Sequence, residues 1–587
     1  MSENTYSVLT ENEECCSFEA ASVSGRCHEP RQDIRAQTWS LYFTSHTMLL
    51  NILVKAAVVY ISFHLIWRVF RNSRFANLAG PPSSSWLFGN IPELFNPNGW
   101  NFHYGILKKY GTTMTIKGAL GEPMVLTCDP KALHHILVKD QLIYEASISD
   151  IFFGEGLLST FGEQHRKQRK MLNPVFSINH MREMIPLFYE VTNRLRAALS
   201  KKLDNGPKEI DVLHWTSRTA LELIGQSGMG FSFDSLVDDN DYHPYRTAVQ
   251  NFVTVSTGPL MFYATQYIFP LAKKFDFPRV KRFIAEHIPL ERAQGLIHII
   301  DVMRQTSIEI IEEKKKALMN SDPAVVAEME NKKDIISILM RANTTVSEED
   351  RLSDEEVIGQ VSTLVFAAMD TTSSALARIL WLLSEHPDVQ EKMRDEITEA
   401  QKNGELSYDQ LVSLPYLDAV CRETLRVYPP VSFAALRNLR KDTVLPFSKP
   451  VLDSNGKEVT EIFLRNGTKV IVSLLGANTN PDIWGPDSYE WKPERWLSQL
   501  PETVAGAHMP GVYSHVMTFL GGGRACLGFK FSQLEMKVVL SVLLASFRFA
   551  KSKSKPVVWK MTGIASPMVE SGDGKTRELP LFLSLVD

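Results

Sequence analysis

The segment Phe519-Leu-Gly-Gly-Gly-Arg-Ala-Cys-Leu-Gly528 places one cysteine, Cys526, in a glycine-rich loop directly ahead of a helical pattern. Leu534, Val538, Leu540 and Leu544 recur at helical spacing between Phe529 and Ala545, which predicts a helix with Cys526 at its N-terminal end. The helix dipole and the free backbone N–H groups at that end favour a thiolate over a thiol. Gly522 and Gly528 let the backbone turn tightly and approach the sulfur. Phe519 can shield it from water, and Arg524 can pair with an anionic group. Taken alone, the loop fits two readings: a buried structural cysteine beside a glycine turn, or a lone thiolate held as the axial ligand of a haem iron.

The loop resembles the haem-binding signature of the cytochrome P450 family, Phe-x-x-Gly-x-Arg-x-Cys-x-Gly, at every fixed position. Other segments resemble that family in order. Glu423-Thr-Leu-Arg426 lies in a helical pattern ended by Pro429-Pro430, with Glu and Arg three apart on one face. An isolated pair of this kind is usually a solvated surface pair. Here it is similar to the family's Glu-x-x-Arg motif, which implies a buried clamp with Arg495 of Pro493-Glu-Arg-Trp496. Ser353-Asp-Glu-Glu356 is a capping box that opens a pattern running without proline to Pro387, a helix of about 45 Å at 1.5 Å per residue. Its middle, Phe366-Ala-Ala-Met-Asp-Thr-Thr-Ser-Ser374, fits either a polar surface patch or a functional groove. It resembles the family's oxygen groove, which gives Asp370 and Thr371 the roles of proton relay, with Ala368 standing where glycine is usual. Gly162-Glu-Gln-His-Arg-Lys-Gln-Arg169 resembles Gly-x-x-Trp-x-x-x-Arg with His165 in place of tryptophan. The resemblance implies haem b with Cys526 as its proximal iron ligand. It further implies Arg169, His165, Arg437 and Arg524 as propionate partners, and Phe519, Gly522 and Gly528 as shapers of the ligand loop. The run through Arg169-Lys170 and Asn173-Pro-Val-Phe looks most like fungal members.

Met48 to Trp67 is largely apolar and of a length to cross a hydrocarbon core about 30 Å thick, although it contains Lys55 and His64. Arg68, Arg71 and Arg74 follow, which puts the downstream chain in the cytosol by the positive-inside rule. Gly80-Pro-Pro-Ser-Ser-Ser-Trp is a stiff linker similar to the family's proline-rich hinge. The organisation expected is a tail over 1–47, a transmembrane anchor over 48–67, a basic, proline-bearing hinge over 68–92 and a haem-thiolate domain over 93–587, anchored single-pass in the endoplasmic reticulum. The tail reads either as lumenal or as an extension of the gene model.

Helical patterns dominate, with short strands expected near Thr113–Lys117 and Pro123–Cys128 and a hairpin region at Asn455-Gly456 and Asn466-Gly467. The fold class is therefore mainly α with a small β portion, as the P450 fold requires. The region 314–350 reads as a charged surface connection between two long helices. A net charge of −4 gives no sign of nucleic-acid binding. Cys128, Cys421 and Cys526 are too sparse for a disulfide framework.

The resemblance implies monooxygenation of a substrate with O2, in which the Cys526 thiolate promotes O–O cleavage. Electrons come from NADPH through a cytochrome P450 reductase, with cytochrome b5 as a further candidate donor, because no flavin-binding segment occurs in the chain. His165-Arg-Lys-Gln-Arg-Lys170 with Lys530 and Lys537 reads either as a docking face for an acidic reductase or as a solvated basic helix. Apolar segments at Val365-Phe366, Val431–Leu436 and Thr562–Ala565 suit a lipophilic substrate such as a terpenoid, fatty acid, steroid or polycyclic aromatic. Gly258–Tyr263 falls where the family has a membrane-touching access region, and reads equally as ordinary core. An O2-independent haem-thiolate isomerase or dehydratase and a non-catalytic haem sensor are the rival readings. Retention of both Asp370 and Thr371 speaks against each.

Overall fold

Caps and prolines set the helix ends of this chain, and the longest helix shows how. In the computed structural model, which describes residues 78–146, 150–237, 243–274, 277–318 and 333–586 and the single positions 55, 59 and 62, Ser353 accepts from the Glu356 N–H. The Glu356 carboxylate in turn accepts from the Ser353 N–H at 2.9 Å. That capping box starts a helix over Asp354–Glu385, which ends just before Pro387. The expected box, start and end are all present.

In chain order the helices that matter for the site are α1 (Trp100–Tyr110), α2 (Gly162–Leu172), α3 (Ile178–Lys202), α4 (Val212–Ile224), α5 (Pro244–Ser256), α6 (Pro278–Glu286), α7 (Glu291–Leu318), α8 (Ile335–Thr345), α9 (Asp354–Glu385), α10 (Pro387–Ala400), α11 (Pro415–Val427) and α12 (Phe529–Ser546). The core forms where α9 packs against α4, α7 and α12, and where α12 packs against α3 and α10. Both α9 and α12 are buried around most of their circumference, so they are surrounded by protein.

The β portion is small and peripheral. β1 (Thr113–Lys117) and β2 (Pro123–Thr127) pair antiparallel, β2 runs parallel to β8 (Lys469–Ser473), and β8 is antiparallel to β5 (Phe433–Leu439), which closes on β3 (Tyr144–Ala146). β8 is buried at every position because it is the middle strand. The Asn455-Gly456 turn joins a true hairpin of β6 (Thr443–Leu452) and β7 (Glu458–Leu464), with Gly456 at φ 80°. The Asn466-Gly467 turn instead hands the chain from that hairpin to the larger sheet. The remaining ladders are β4 (Lys208–Asp211), β12 (Pro580–Leu585) and β9 (Phe547–Lys551) in that order, and β10 (Val557–Lys560) with β11 (Ser566–Val569).

The chain divides into two compact units, Met1–Arg71 and Asn72–Asp587. The expected tail 1–47 lies outside the described residues, and so does the expected anchor 48–67 apart from three positions. Among the described residues no helix is long and apolar enough to cross a membrane. From residue 78 the expected hinge is built into the larger unit: the Ala79 N–H donates to the Leu452 carbonyl at 3.0 Å, and a Cβ on Gly80 would overlap the Thr115 carbonyl.

One expectation is corrected here. Within 314–350, residues 344–350 are largely exposed as expected, but Lys314 and the first turns of α8 are not a surface connection. α8 buries Ile335, Ile336, Leu339 and Met340, and the Lys314 ammonium is buried against Asp334 at 2.9 Å and Ser337 at 2.8 Å. The high charge of this stretch hid an internal ion pair.

Candidate active site

The Cys526 loop is held by its own backbone. The Cys526 N–H donates to the Phe519 carbonyl at 2.8 Å, and Leu520 between them takes a left-handed φ of 55°. Gly522, at φ 67°, can only be glycine, since a Cβ there would fall 1.7 Å from the Leu137 carbonyl oxygen. Gly528 differs from expectation. Its φ of −88° suits any residue and a Cβ would meet only Phe176 at 3.8 Å; its contribution is a backbone N–H directed at Cys526. Phe519 is nearly buried and lies edge-on to Tyr513 beside the loop.

Cys526 combines two properties that rarely occur together. It is enclosed so deeply that burial pushes its thiol above the usual range, with the Gly528 N–H and the Arg169 charge opposing that rise. Its surface is nonetheless solvent-accessible. A deep but accessible side chain faces an internal cavity. α12 begins three residues later; the Gly528 N–H favours the thiolate as expected, and burial opposes it more strongly.

Around the cysteine the chain gathers three arginines and a histidine with no acid among them. Arg169 of α2 donates to the Ala525 carbonyl at 2.6 Å. Arg524 donates to the carbonyls of Leu157 and Thr160. Arg437 on β5 is 4% exposed, and among the described residues its side chain has no hydrogen-bond partner. Burial lowers both Arg437 and Arg524 to about 10, and for Arg524 the charges of Arg437 and Arg169 add to it. His165 is driven down to about 3, first by burial and then by Arg524, Arg169 and Arg437, so its ring is neutral at physiological pH. Burying three cations together is costly unless anions neutralise them. Glu145, the one acid that acts on Arg524, is already paired with Arg440. The donor set therefore fits two carboxylates of a large, flat, largely apolar cofactor seated against a cysteine: the residues suit haem. Among the described residues no cluster of histidine, cysteine and carboxylate ligands offers a rival metal site.

A second accessible patch lies in mid-α9. The turns on both sides are buried, yet Ala367 is exposed and Phe366, Ala368 and Thr371 are half-buried. On a helix enclosed by α4, α7 and α12 such a strip can only line a cavity. The Thr371 hydroxyl donates to the Ala367 carbonyl at 2.7 Å, which leaves its oxygen lone pairs free to accept. Leu157 ties this helix to the arginine cluster: its N–H donates to Gln360 Oε1 at 3.0 Å while its carbonyl accepts from Arg524 at 3.3 Å. Phe366 packs tilted against Phe153 and edge-on to Phe252, at 4.7 and 5.0 Å between centroids, giving an aromatic wall. Thr562–Ala565 reaches the same helix, with the Ser374 hydroxyl donating to the Ala565 carbonyl at 2.6 Å. The side chains of 434–436 lie outside the described residues.

Asp370 does not share the Thr371 face. It is fully buried and accepts a bidentate pair from Arg577, at 2.6 and 3.1 Å. Arg577 was not legible in the sequence, being 207 residues away in a stretch without pattern. The clamp forms as expected and is larger. Glu423 accepts from Arg426 at 2.7 and 2.8 Å, from Arg495 at 3.4 Å, and also from the Trp496 indole and the Lys492 N–H. Arg495 further pairs with Asp487 at 3.0 Å.

The basic face needs one correction. Lys537 is 2% exposed and paired with Asp418 at 2.8 Å inside the molecule, because α12 is buried on nearly all sides. Lys167 is also engaged, donating to the Arg351 carbonyl. Arg166 and Lys170 remain exposed, and Lys530 is half-buried.

The family model described as cytochrome P450 matches residues 79–569. Cytochrome P450 monooxygenase 91 of Postia placenta is 50% identical over 544 residues, covering 92% of this chain and 99% of that protein. A ganoderic acid synthetase of Ganoderma lucidum is 41% identical over 88% of this chain and 95% of its own length. A cytochrome P450 monooxygenase of Hericium erinaceus is 37% identical over 87% and 94%.

Proposed function

This chain belongs to the cytochrome P450 family, as a haem-thiolate monooxygenase with a cysteine axial ligand, and on that premise we propose that it oxygenates a lipophilic, ring-bearing substrate with electrons delivered by an NADPH-dependent reductase. Terpenoids, steroids and polycyclic aromatics fit this description best, and fatty acids less well. The carrying observation is the aromatic wall of Phe153, Phe252 and Phe366 beside the accessible strip of α9, which suits flat apolar surface. One relative's name carries ganoderic acid as its product, which supports the terpenoid end of the range.

Within this reading Cys526 holds the iron, and Arg169, Arg437 and Arg524 with His165 hold the propionates. Bound haem supplies dioxygen activation, with one oxygen atom entering substrate and the other leaving as water. Thr371 supplies a hydroxyl at the cavity wall that accepts and passes a proton. Asp370 is poised behind it and can take part only by loosening its pair with Arg577.

We place the catalytic unit on the cytosolic face of the endoplasmic reticulum. α6 is exposed and amphipathic, with Val280, Phe283 and Ile284 beside Arg279 and Lys281. Trp86, Leu87 and Phe88 are exposed too, and the Phe88 carbonyl accepts from the Tyr263 hydroxyl at 2.7 Å. Such patches suit a lipid interface. Alkaline extraction of microsomes should leave the chain in the membrane pellet, and its release would remove the anchor.

The deciding experiment is a reduced, CO-bound spectrum followed by a lipophile panel with reductase and NADPH. A thiolate-type Soret band lost in Cys526→Ser, with oxygenated products from ring-bearing lipophiles, is expected. A band that survives the substitution would reject the ligand assignment, and turnover confined to fatty acids would reject the substrate class.

A further inference from the structure

Away from the haem site the larger unit carries a second cavity of about 600 Å³, between α1, the C-terminal half of α9 and β10. Its walls include the rings of Tyr104, Trp381, Tyr428 and Trp559. Its charges are Arg378 and Lys108, and no acid lines it. None of its lining residues belongs to the arginine cluster around Cys526. Arg378 follows Thr371 by seven positions on α9, the same face about 10 Å further along. Between them the Ser374 hydroxyl holds the Ala565 carbonyl against the helix, and none of Phe366, Ala367, Ala368 and Thr371 lines this cavity.

Arg378 is the unusual group. It is 5% exposed, and among the described residues it has neither a carboxylate in ion-pair range nor a hydrogen-bond acceptor for its guanidinium. What surrounds it is aromatic: its Cζ lies 3.4 Å from the Trp559 ring centroid and 4.4 Å from that of Tyr428. Burial lowers it to about 9. Glu385, the one acid that acts on it, is salt-bridged instead to Lys551 at 3.0 Å. The Trp559 indole N–H is likewise buried without an acceptor. Cation–π stacking orients a guanidinium but satisfies none of its in-plane N–H donors. A buried planar donor fork without an acceptor, in a wide aromatic cleft with a second cation, is built for a carboxylate carried on a flat apolar body.

We propose that this cavity is an accessory binding site for a flat, ring-bearing organic carboxylate, with its carboxylate on Arg378 and its rings among Tyr104, Trp381 and Trp559. Lys108, exposed at the mouth, adds long-range attraction. The ligand sits about two helical turns from the oxygen groove and does not enter it.

Calorimetric titration of the haem-loaded full chain with 2-naphthoate and its neutral isostere 2-naphthamide tests this, with the Soret band followed in parallel. Naphthoate should bind at least about tenfold more tightly than naphthamide, leave the Soret band unshifted, and lose about tenfold in Arg378→Leu. Lys108→Ala should weaken it less, by an amount that shrinks as salt is raised. If Arg378→Leu fails to load haem, the naphthoate–naphthamide contrast and the Lys108→Ala salt dependence carry the test. Equal binding of the two probes, no binding at millimolar naphthoate, a shifted Soret band, or competition by inorganic phosphate as effective as by naphthoate would overturn it. Dodecanoate binding more tightly than naphthoate would overturn the flat-ring class.

Discussion

Asp370 and Arg577 show how one residue can serve two demands. A carboxylate with no exposed surface must be paired, and Arg577 supplies the pair bidentately. Asp370→Asn, expressed with its haem spectrum intact, should lower coupled product formation by about 100-fold if the carboxylate feeds protons past Thr371. A product yield per NADPH that stays unchanged would reduce Asp370 to a structural partner of Arg577. Removing Arg577 alone should cost about 3 kcal/mol because it strands a buried charge, and the paired Asp370→Asn/Arg577→Met change should cost less than the sum of the two. Glu535 is the opposite case. It is fully buried on α12, both its oxygens lack partners among the described residues, and burial raises its carboxyl well above the usual 4.5. A raised carboxyl is neutral in the fold and ionised in the unfolded chain above about pH 4.5. It therefore subtracts stability increasingly as pH rises past that point, by up to about 1.4 kcal/mol per pH unit until the folded value is reached. Glu535→Gln should match the parent near pH 4.5 and exceed it in denaturant midpoint by pH 7. A pH-independent difference between the two would contradict a neutral Glu535.

Among the elements, the clamp distributes its work unequally. Arg426 of α11 donates to Glu423 and also to the carbonyls of Asn478, Ser488 and Glu490, whereas Arg495 reaches Glu423 only at 3.4 Å and has Asp487 as its closer acid. Arg426→Met should thus cost about 3–5 kcal/mol and abolish haem retention, while Arg495→Met should leave a measurable fraction of haem-loaded protein. Equal losses, read from the CO spectrum per mole of protein, would show that the two arginines act as one unit. The clamp, the ligand loop and the α9 capping box were legible because each is written within a few consecutive residues. Asp487, Arg577 and the pair of Arg218 with Asp234, fully buried at 2.7 Å, were not, because their partners meet only after the chain has folded. Lys537 misled for a related reason. A lysine on a helix reads as surface until the helix is seen to be enclosed, as α12 is. The same blindness hid Lys314 and Asp334, whose charge made an internal contact look like a solvated connection.

For the whole molecule the question is how electrons arrive. The chain has a net charge of −4, so a basic face on it is a local arrangement and not a consequence of overall charge. α2 presents Arg166 and Lys170 one turn apart with side chains about four-fifths exposed, and each has only a long, exposed acid partner at 3.6 Å. Such pairs contribute little and leave the cations available. Arg169 of the same helix reaches the carbonyl of Ala525, next to the ligand cysteine, so this surface backs directly onto the thiolate side of the cavity. An acidic reductase approaching it would come close to the iron without passing through the substrate cavity. Reversing both charges in Arg166→Glu/Lys170→Glu should lower reductase-supported turnover at low ionic strength several-fold, mainly through a higher apparent KM for reductase. The deficit should narrow as salt is raised, because screening removes attraction in the parent and repulsion in the variant alike. Chemical reduction with dithionite should give the same CO-bound spectrum in both proteins, since neither residue touches the cavity. Unchanged reductase kinetics would move the docking face elsewhere, and a damaged CO spectrum would mean that α2 itself, with its grip on the cysteine loop, had been disturbed.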